Sequence, residues 1–284
     1  MNTPQLVRYD DAAVFATRAT GWLVENEAAN NLLLGILPSL VESPRPGNER
    51  TYLASIEAND EIVGCAFRTP PFHLGVTPMP AAALASLVAD VAAVYPSLSG
   101  VIGPPTTARA VADTWVAAHG GTARLAMQQG IYELERVNFP TTMPRGATRI
   151  ADPTDAPLLR SWAQAFVADT GIPAHDVHGL ADRLVAERAM AIWEVDGEPC
   201  CMTGVNGPTP NGIRVSYVYT PPDKRGRGYA SALVAHVSRA QLDHGKRFCF
   251  LYTDLTNPTS NRIYQKLGYR QVAESIEVKI EEEE

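Results

Sequence analysis

Hydrophobic and polar positions follow two different periods along this chain of 284 residues. Residues 229–244 repeat their apolar positions at the spacing of an α-helix: Ala230, Leu233, Val234 and Val237. Residues 213–220 form a run of β-branched and aromatic residues, which is typical of a strand. The chain is therefore expected to mix helices with strands.

In the second half of the chain, the sequence pattern predicts a series of helices and strands separated by turns that contain proline or glycine. In chain order they are helices 153–169 and 175–188, strands 190–195, 199–205 and 213–220, helix 229–244, strand 248–252, a helix that begins at Asn257, and strand 275–280. The pair Asp196-Gly197 predicts a hairpin turn between the first two strands.

The first half predicts a similar order of elements. They are helices 11–24 and 28–37, strands 51–57 and 62–67, helix 80–95, strand 101–102, helix 106–118 and strand 131–137. Prolines and a glycine interrupt the pattern at residues 138–146. We therefore predict an α/β chain with two domains, 1–137 and 147–284, joined by a linker at 138–146.

Length and charge agree with two globular domains. The chain is long enough for two domains of roughly 140 residues. A hydrophobic fraction of 45% beside 19% charged residues supplies sizeable cores. The formal net charge of -7 argues against a nucleic-acid partner. We find no signal sequence and no uncharged apolar run of 18 residues, so we expect a cytoplasmic protein that does not bind a membrane.

The cysteines predict neither a metal site nor a disulfide framework. Their spacing matches no metal-binding pattern: Cys65, Cys200, Cys201 and Cys249. Because each lies in a predicted strand, we expect buried, reduced thiols and no bound metal. The alternative is a catalytic cysteine, for which no histidine signature lies nearby.

A strand, a double proline, a glycine-rich turn and a helix follow one another within residues 213–244. This order builds a phosphate site, because the first N–H groups of a helix lack internal partners and carry partial positive charge. Gly226 and Gly228 let the backbone approach a pyrophosphate closely, while Arg225 and Arg227 add charge-assisted contacts. The alternative is an ordinary turn with two solvated arginines.

Two motifs in the second half resemble those of a known family. The turn Arg225-Gly-Arg-Gly-Tyr-Ala230 resembles R-x-x-G-x-A, the coenzyme A signature of GNAT acyltransferases. The segment from Asn257 to Tyr269 resembles the second GNAT signature, N-x-x-[A/S]-x-x-x-Y-x-x-x-G-[F/Y], at every fixed position. The motifs occur in the right order, joined by one helix and one strand. The second half is therefore identified as a member of the GNAT superfamily.

The resemblance implies a fold and a reaction. Each domain would be a mixed, mostly antiparallel twisted sheet flanked by helices. The reaction would transfer an acyl group, most often acetyl, from acetyl-CoA or another acyl-CoA to a primary amine on a small molecule or a peptide, without a metal. A non-catalytic protein of the same fold that binds or senses acyl-CoA is the alternative. A nucleotide-binding module would need a Gly-Lys-Ser/Thr ending, which is absent.

The resemblance also implies roles for individual residues. The backbone of Val218, Tyr219 and Thr220 would pair with the pantetheine arm, and the Val218 N–H would stabilise the oxyanion. Tyr264 would protonate the leaving thiolate, or would only pack against the thioester sulfur. The other cofactor contacts would come from the two motifs: Arg225, Gly226, Arg227, Gly228, Tyr229, Ala230, Asn257 and Asn261.

A general base for the amine is harder to assign from the sequence. Glu194 lies near the end of a predicted strand, and Asp254 lies just before the second motif. For each carboxylate the favoured interpretation is a solvated or capping residue, and a water chain that ends on backbone carbonyls would serve equally well as the base.

The first half lacks both motifs. Residues 77–80 contain two prolines where the glycine turn should be, and proline offers no N–H donor. Trp115 stands near the position of the motif tyrosine. The first half is therefore predicted to be a degenerate copy that does not hold coenzyme A. It would either shape the acceptor side or serve a purely structural role.

Overall fold

The computed structural model describes residues 3–42, 51–171 and 176–281. The described chain divides into two compact units. The first comprises Met1–Ile131, Asp254–Thr256 and Gln271–Glu284, and the second comprises Tyr132–Thr253 and Asn257–Arg270. The predicted start of a helix at residue 175 lies outside the described residues.

The first unit has a mixed sheet with two helices packed on each face. Its strands are β1 (Gln5–Arg8), β2 (Tyr52–Ala58), β3 (Glu61–Arg68), β4 (Leu74–Val76), β5 (Gly100–Gly103), most of β6 (Thr122–Leu134), and β12 (Arg270–Glu281). Its helices are α1 (Ala12–Val24), α2 (Asn31–Glu42), α3 (Leu84–Val94) after a short 3-10 turn (Ala81–Ala83), and α4 (Pro105–His119). The sheet order is β1-β2-β3-β4-β5-β12, and only the β4–β5 pair is parallel.

The second unit repeats the combination of a mostly antiparallel sheet with flanking helices. Its strands are β7 (Ala147–Ile150), β8 (Met190–Val195), β9 (Glu198–Asn206), β10 (Gly212–Tyr219) and β11 (Phe248–Asp254). Its helices are α5 (Ala156–Thr170), α6 (Val177–Ala186), α7 (Tyr229–Asp243) and α8 (Pro258–Leu267), with 3-10 turns at Pro153–Asp155 and Pro222–Lys224. The order is β11-β10-β9-β8-β7, and the β10–β11 pair is parallel. The predicted fold class is thus confirmed.

The last strand differs from its predicted placement. Strand 275–280 was expected to close the second domain, but β12 pairs antiparallel with β5 in the first unit. The reason is its alternating pattern, since Ile276, Val278 and Ile280 are buried in the apolar core beneath α3 and α4. The compact units therefore do not coincide with the predicted domains 1–137 and 147–284.

Other differences have local causes. Helix α2 was expected to end before Pro38, yet it continues to Glu42 because Leu40 still reaches the core. The short strands β1, β4 and β7 were not predicted, since three or four residues give too little pattern. Among the described residues, no helix is long and apolar enough to cross a membrane.

Candidate active site

Strand β10 contains a bulge near the end that leads into the glycine turn. Its parallel pairing with β11 runs from Gly212↔Phe248 to Arg214↔Phe250. Its register with β9 shifts between Ser216 and Tyr219, and Tyr217 adopts φ 54°. A tyrosine at positive φ is strained, and bulges of this kind lie beside many active sites. The separation from β11 therefore begins after Arg214, several residues before the double proline at Pro221.

The glycine turn leaves open space in front of helix α7. Gly226 has φ 77° and Gly228 has φ 83°, a conformation that favours glycine. A Cβ atom added at Gly226 would meet no heavy atom within 4 Å, and one at Gly228 would meet only Pro144 at 4.0 Å. This turn can therefore admit a ligand close to its backbone.

The first amides of α7 point into this turn. The Ala232 N–H donates to the Gly228 carbonyl at 3.0 Å. Within the described chain, no protein group accepts a hydrogen bond from the N–H groups of Tyr229, Ala230 or Ser231. Three amides at a positive helix end, behind two glycines, are therefore available to an anion.

The two arginines of the turn are held by protein groups. Arg225 donates through Nη2 to Asp169 Oδ2 at 2.5 Å and through Nε to the Thr220 carbonyl at 2.9 Å. Its guanidinium carbon lies 5.8 Å from the centre of the Tyr219 ring. Arg227 donates to the Asp223 carbonyl at 3.1 Å. These contacts place Arg225 between helix α5 and the end of β10.

Tyr264 lies on α8, in the same apolar cluster as Val218. Its side chain is only 9% exposed, and its ring stands edge-on to Tyr269 with the ring centres 5.9 Å apart. Burial raises the pKa of Tyr264 above its usual value, and the nearby Cys201 raises it further. Tyr264 therefore keeps its proton to a higher pH than an exposed tyrosine does.

Cys201 connects Tyr264 with the end of β10. Burial raises the pKa of the Cys201 thiol to about 12, and a hydrogen bond from Thr220 lowers it in part. This thiol is therefore neutral. Cys65 and Cys249 have similarly raised pKa values, and all four cysteines are free and buried, as predicted.

Helix α8 begins and ends as its sequence predicts. The Asn257 side chain accepts a hydrogen bond from the Ser260 N–H at 3.1 Å, and Pro258 occupies the first helical turn. Gly268 ends the helix at φ 105°. The Asn261 N–H donates to the Asn257 carbonyl one turn earlier, at 3.2 Å. This cap fixes the helix that carries Tyr264.

Comparisons with known proteins agree with this geometry. A family model described as FR47-like protein matches residues 208–278, which include β10, the glycine turn and α8. A search of curated proteins found no match. Three similar solved structures each align with nearly the whole chain. A Drosophila protein is 12% identical, covers 99% of both chains and has a TM-score of 0.66. A GCN5-related N-acetyltransferase from Sphaerobacter thermophilus is 15% identical, with 97% of this chain and 95% of that chain covered and a TM-score of 0.63. A tandem GNAT protein from the clavulanic acid biosynthesis pathway is 12% identical, with 98% of both chains covered and a TM-score of 0.54.

The chain has the GNAT fold. Within that fold, β10 is the strand that leads into the glycine turn, and α8 carries the tyrosine of the second motif. Val218, Tyr219 and Thr220 lie at the end of β10, directly before the cradle. Of the sequence-predicted site residues, Val218 and Tyr264 meet in one apolar cluster, which also includes Val234 and Ala235 of α7.

The two proposed general bases of this GNAT unit have structural contacts. Glu194 accepts a hydrogen bond from Arg149 at 2.6 Å, and the same arginine binds Asp155 through both of its terminal nitrogens. Asp254 accepts hydrogen bonds from the Thr256 N–H at 2.7 Å and its hydroxyl at 2.8 Å. Asp254 therefore has the capping contact that was the alternative to a catalytic role, whereas Glu194 forms an ion pair that the sequence did not predict. Among the described residues, no group of three or more possible metal ligands occurs.

The opposite face of β10 carries polar residues that the sequence argument passed over. Ile213 and Val215 face the cluster around Tyr264, so Arg214 and Ser216 face the other way, toward α5. The Arg214 guanidinium carbon lies 5.4 Å from the Tyr252 ring centre and 5.9 Å from that of Phe250. The signal in the sequence was the polar pair Arg214 and Ser216 within an otherwise apolar strand.

Proposed function

We propose that the second unit transfers an acyl group, most simply acetyl, from acyl-CoA to a primary amine by direct attack in a ternary complex. The observations that carry this proposal are the open turn with free amides at the start of α7 and a buried Tyr264 that shares an apolar cluster with Val218. An anion site and a buried proton donor in one unit match what a thioester substrate requires.

The cradle fits the diphosphate of coenzyme A. Free N–H groups of Tyr229, Ala230 and Ser231 would donate to phosphate oxygens. The space at Gly226 and Gly228 lets those oxygens approach the backbone. Arg225 and Arg227 lie in the same turn and add positive charge.

The end of β10 would hold the pantetheine arm and the thioester. Because β10 separates from β11 after Arg214, backbone groups further along β10 can pair with an extended ligand. The Val218 N–H would then donate to the thioester oxygen as negative charge develops there. Losing one such donor typically costs about 3 kcal/mol of transition-state stabilisation.

Tyr264 would give its proton to the departing thiolate. Burial raises the pKa of Tyr264, so the phenol stays protonated across the physiological range. The same burial would also raise the pKa of a thiol beside it, which reduces the mismatch between donor and acceptor. Asn257 and Asn261 would lie near the cofactor on the same helix.

The amine must lose a proton before or during its attack. Since Glu194 and Asp254 are bound to Arg149 and Thr256, a water chain that ends on backbone carbonyls is the proposed route. The acceptor itself would be a small molecule or a peptide.

The first unit would be a copy that does not hold coenzyme A. After β4, the Thr77 N–H donates to the Cys65 carbonyl at 3.0 Å, and Pro78 and Pro80 have no N–H to offer. Trp115, near the position of the motif tyrosine, is buried and stacks on His119. With two prolines and an occupied Thr77 N–H, that turn would offer an anion fewer donors than the glycine turn does.

An assay of free coenzyme A separates an enzyme from a sensor. Purified protein with acetyl-CoA and a panel of primary amines should release thiol in an amine-dependent way. Calorimetric binding of acetyl-CoA without any amine-dependent release would contradict acyl transfer and favour the non-catalytic alternative.

A further inference from the structure

The face of β10 opposite Ile213 and Val215 carries the desolvated guanidinium of Arg214, near the proposed thioester site. Arg214 lies four residues before Val218 on the same strand, at the last position paired with β11. Burial lowers the pKa of Arg214, so its environment is less polar than water. A charged side chain is costly in such a place and is commonly retained for function.

Aromatic rings hold the guanidinium in this position. Tyr252 and Phe250 lie within cation–π range at 5.4 and 5.9 Å. A little further along β10, Tyr217 packs on Phe166 of α5 with the ring centres 5.2 Å apart. These rings give Arg214 an apolar setting, in which a planar guanidinium fork binds a carboxylate more strongly than it would in water.

Two buried polar atoms lie on the same face as Arg214. Asn206 is its cross-strand partner on β9, and Ser216 is the next residue on that face of β10. Within the described chain, Asn206 Oδ1 and Ser216 Oγ are buried without a hydrogen-bond partner. Buried oxygens of this kind cost free energy unless a donor reaches them, and an amine N–H is such a donor.

Arg214 and Ser216 lie far enough apart along β10 to bind different groups of one small ligand. Positions two residues apart on a strand are roughly 7 Å apart. Arg214 would therefore receive an anion at one end of this face, and Ser216 would receive an amine nearer to Val218. A small amine that carries its own carboxylate satisfies both ends.

We propose that Arg214 binds the carboxylate of the acceptor, and that the acceptor is therefore an amino acid or another small amine that bears a carboxylate. This inference rests on the proposed acyl transfer, because it names the acceptor of that same site. Arg214 determines specificity here, while Ser216, the next residue on that face toward Val218, orients the amine.

The test compares each L-amino acid with its carboxamide, which keeps the amine and removes the negative charge. Two measurements are made on the full-length protein: release of coenzyme A from acetyl-CoA, and calorimetric binding of each compound in the presence of coenzyme A. We expect at least one amino acid to exceed its amide by about 10- to 100-fold, which is the range for losing one charge-assisted contact.

Variants show whether Arg214 causes this preference. Arg214→Met should abolish it while acetyl-CoA affinity stays unchanged, and Arg214→Lys should retain only part of it, since lysine lacks the bidentate fork. Arg239→Met, which removes an exposed arginine of α7, should leave the preference intact. If Arg214→Met fails to fold, the comparison of acid with amide in the wild-type protein still decides.

The experiments distinguish a failure of the carboxylate site from a failure of the proposed acyl transfer. Arg214-dependent binding of amino acids without release of coenzyme A would support the carboxylate site and contradict acyl transfer. Three results would overturn the carboxylate site, whether or not other amines are acylated. They are equal binding of amino acids and their amides, no binding of any amino acid, and an Arg214→Met variant that loses affinity for the acid and for the amide to the same extent.

Discussion

Asp169, in the last turn of α5, accepts a hydrogen bond of 2.5 Å from Arg225 in the glycine turn. Both side chains are about half exposed, at 48% and 49%. A diphosphate bound at the start of α7 would compete with Asp169 for the same guanidinium. If the cradle binds a diphosphate as proposed, the ion pair would oppose that binding to a small extent.

Asp169→Asn is expected to tighten the binding of coenzyme A. Since an exposed ion pair contributes up to about 1 kcal/mol, the gain should be at most about fivefold and should shrink as salt is added. Calorimetry at low and high salt measures it. Asp182→Asn, which breaks the exposed Arg160 pair, is the matched control and should have no effect. Weaker binding by Asp169→Asn would mean that the pair instead orients Arg225 for the ligand.

Tyr264→Phe is expected to lower kcat by about 10²- to 10⁴-fold, which is the usual contribution of one acid catalyst. Affinity for acetyl-CoA should change less than about threefold, because the ring and its packing remain. Steady-state kinetics and calorimetry check the two quantities. An unchanged kcat would remove the acid role.

Tyr269→Phe is the control for that variant. The Tyr269 hydroxyl lies 2.8 Å from Ser238 Oγ in the core, so its loss should destabilise the protein by roughly 1–3 kcal/mol. Because Tyr269 has no proposed part in the chemistry, kcat should stay close to that of the wild type. Thermal unfolding and kinetics together separate packing from catalysis.

The pH profile of kcat reports on the same tyrosine. Burial raises the pKa of Tyr264, so its proton should still be present at pH 10. We expect no fall in wild-type kcat between pH 8 and pH 10. A descending limb near pH 9 to 10 that disappears in Tyr264→Phe would show that the phenol ionises normally.

A contact between a histidine and a buried glutamate in the first unit should contribute to stability in a pH-dependent way. His73 Nε2 lies 3.2 Å from Glu277 Oε1, and this contact lowers the pKa of the Glu277 carboxyl below its usual value. Such a group contributes stability above its unfolded pKa, about 4.3, and loses it as the pH falls through the folded value. Glu277→Gln should therefore melt a few degrees below the wild type at pH 6, with the difference shrinking toward pH 3.

Glu281→Gln is the control for the acid series, since Glu281 forms an exposed pair with Arg124. Its melting temperature should follow the wild type at every pH. If the melting temperature of Glu277→Gln stays below that of the wild type by the same amount from pH 6 to pH 3, the loss of stability comes from packing rather than from ionisation of Glu277.

Much of the fold and the cradle could be predicted from local sequence. Gly226, Gly228 and the Asn257-Pro258 cap determine backbone geometry within a few residues, so their effects could be predicted without the rest of the chain. Strand β12 could not be placed in this way, because pairing with β5 depends on a partner far away in sequence. Its alternating residues predicted a strand but gave no indication of its neighbour.

The arrangement around the reacting groups was also out of reach. The pKa of Tyr264 depends on burial beneath strands that meet only in the fold. The Asp169–Arg225 contact joins residues 56 positions apart. Arg214 was visible as a charge within an apolar strand, but its aromatic neighbours on β11 became clear only from the register of the two strands.

The account depends most on the free amides of α7 binding a diphosphate, and one comparison of two glycines tests this directly. Gly228 and Gly197 both have φ 83°, and neither has a heavy atom closer than 4.0 Å to an added Cβ, but only Gly228 lies in the cradle. Calorimetry with coenzyme A should show that Gly228→Glu weakens binding by at least about 100-fold, because it places bulk and negative charge at the amides. Gly197→Glu, at the hairpin turn, should bind like the wild type despite the same backbone strain. Wild-type affinity in Gly228→Glu would contradict the cradle and the acyl transfer built on it.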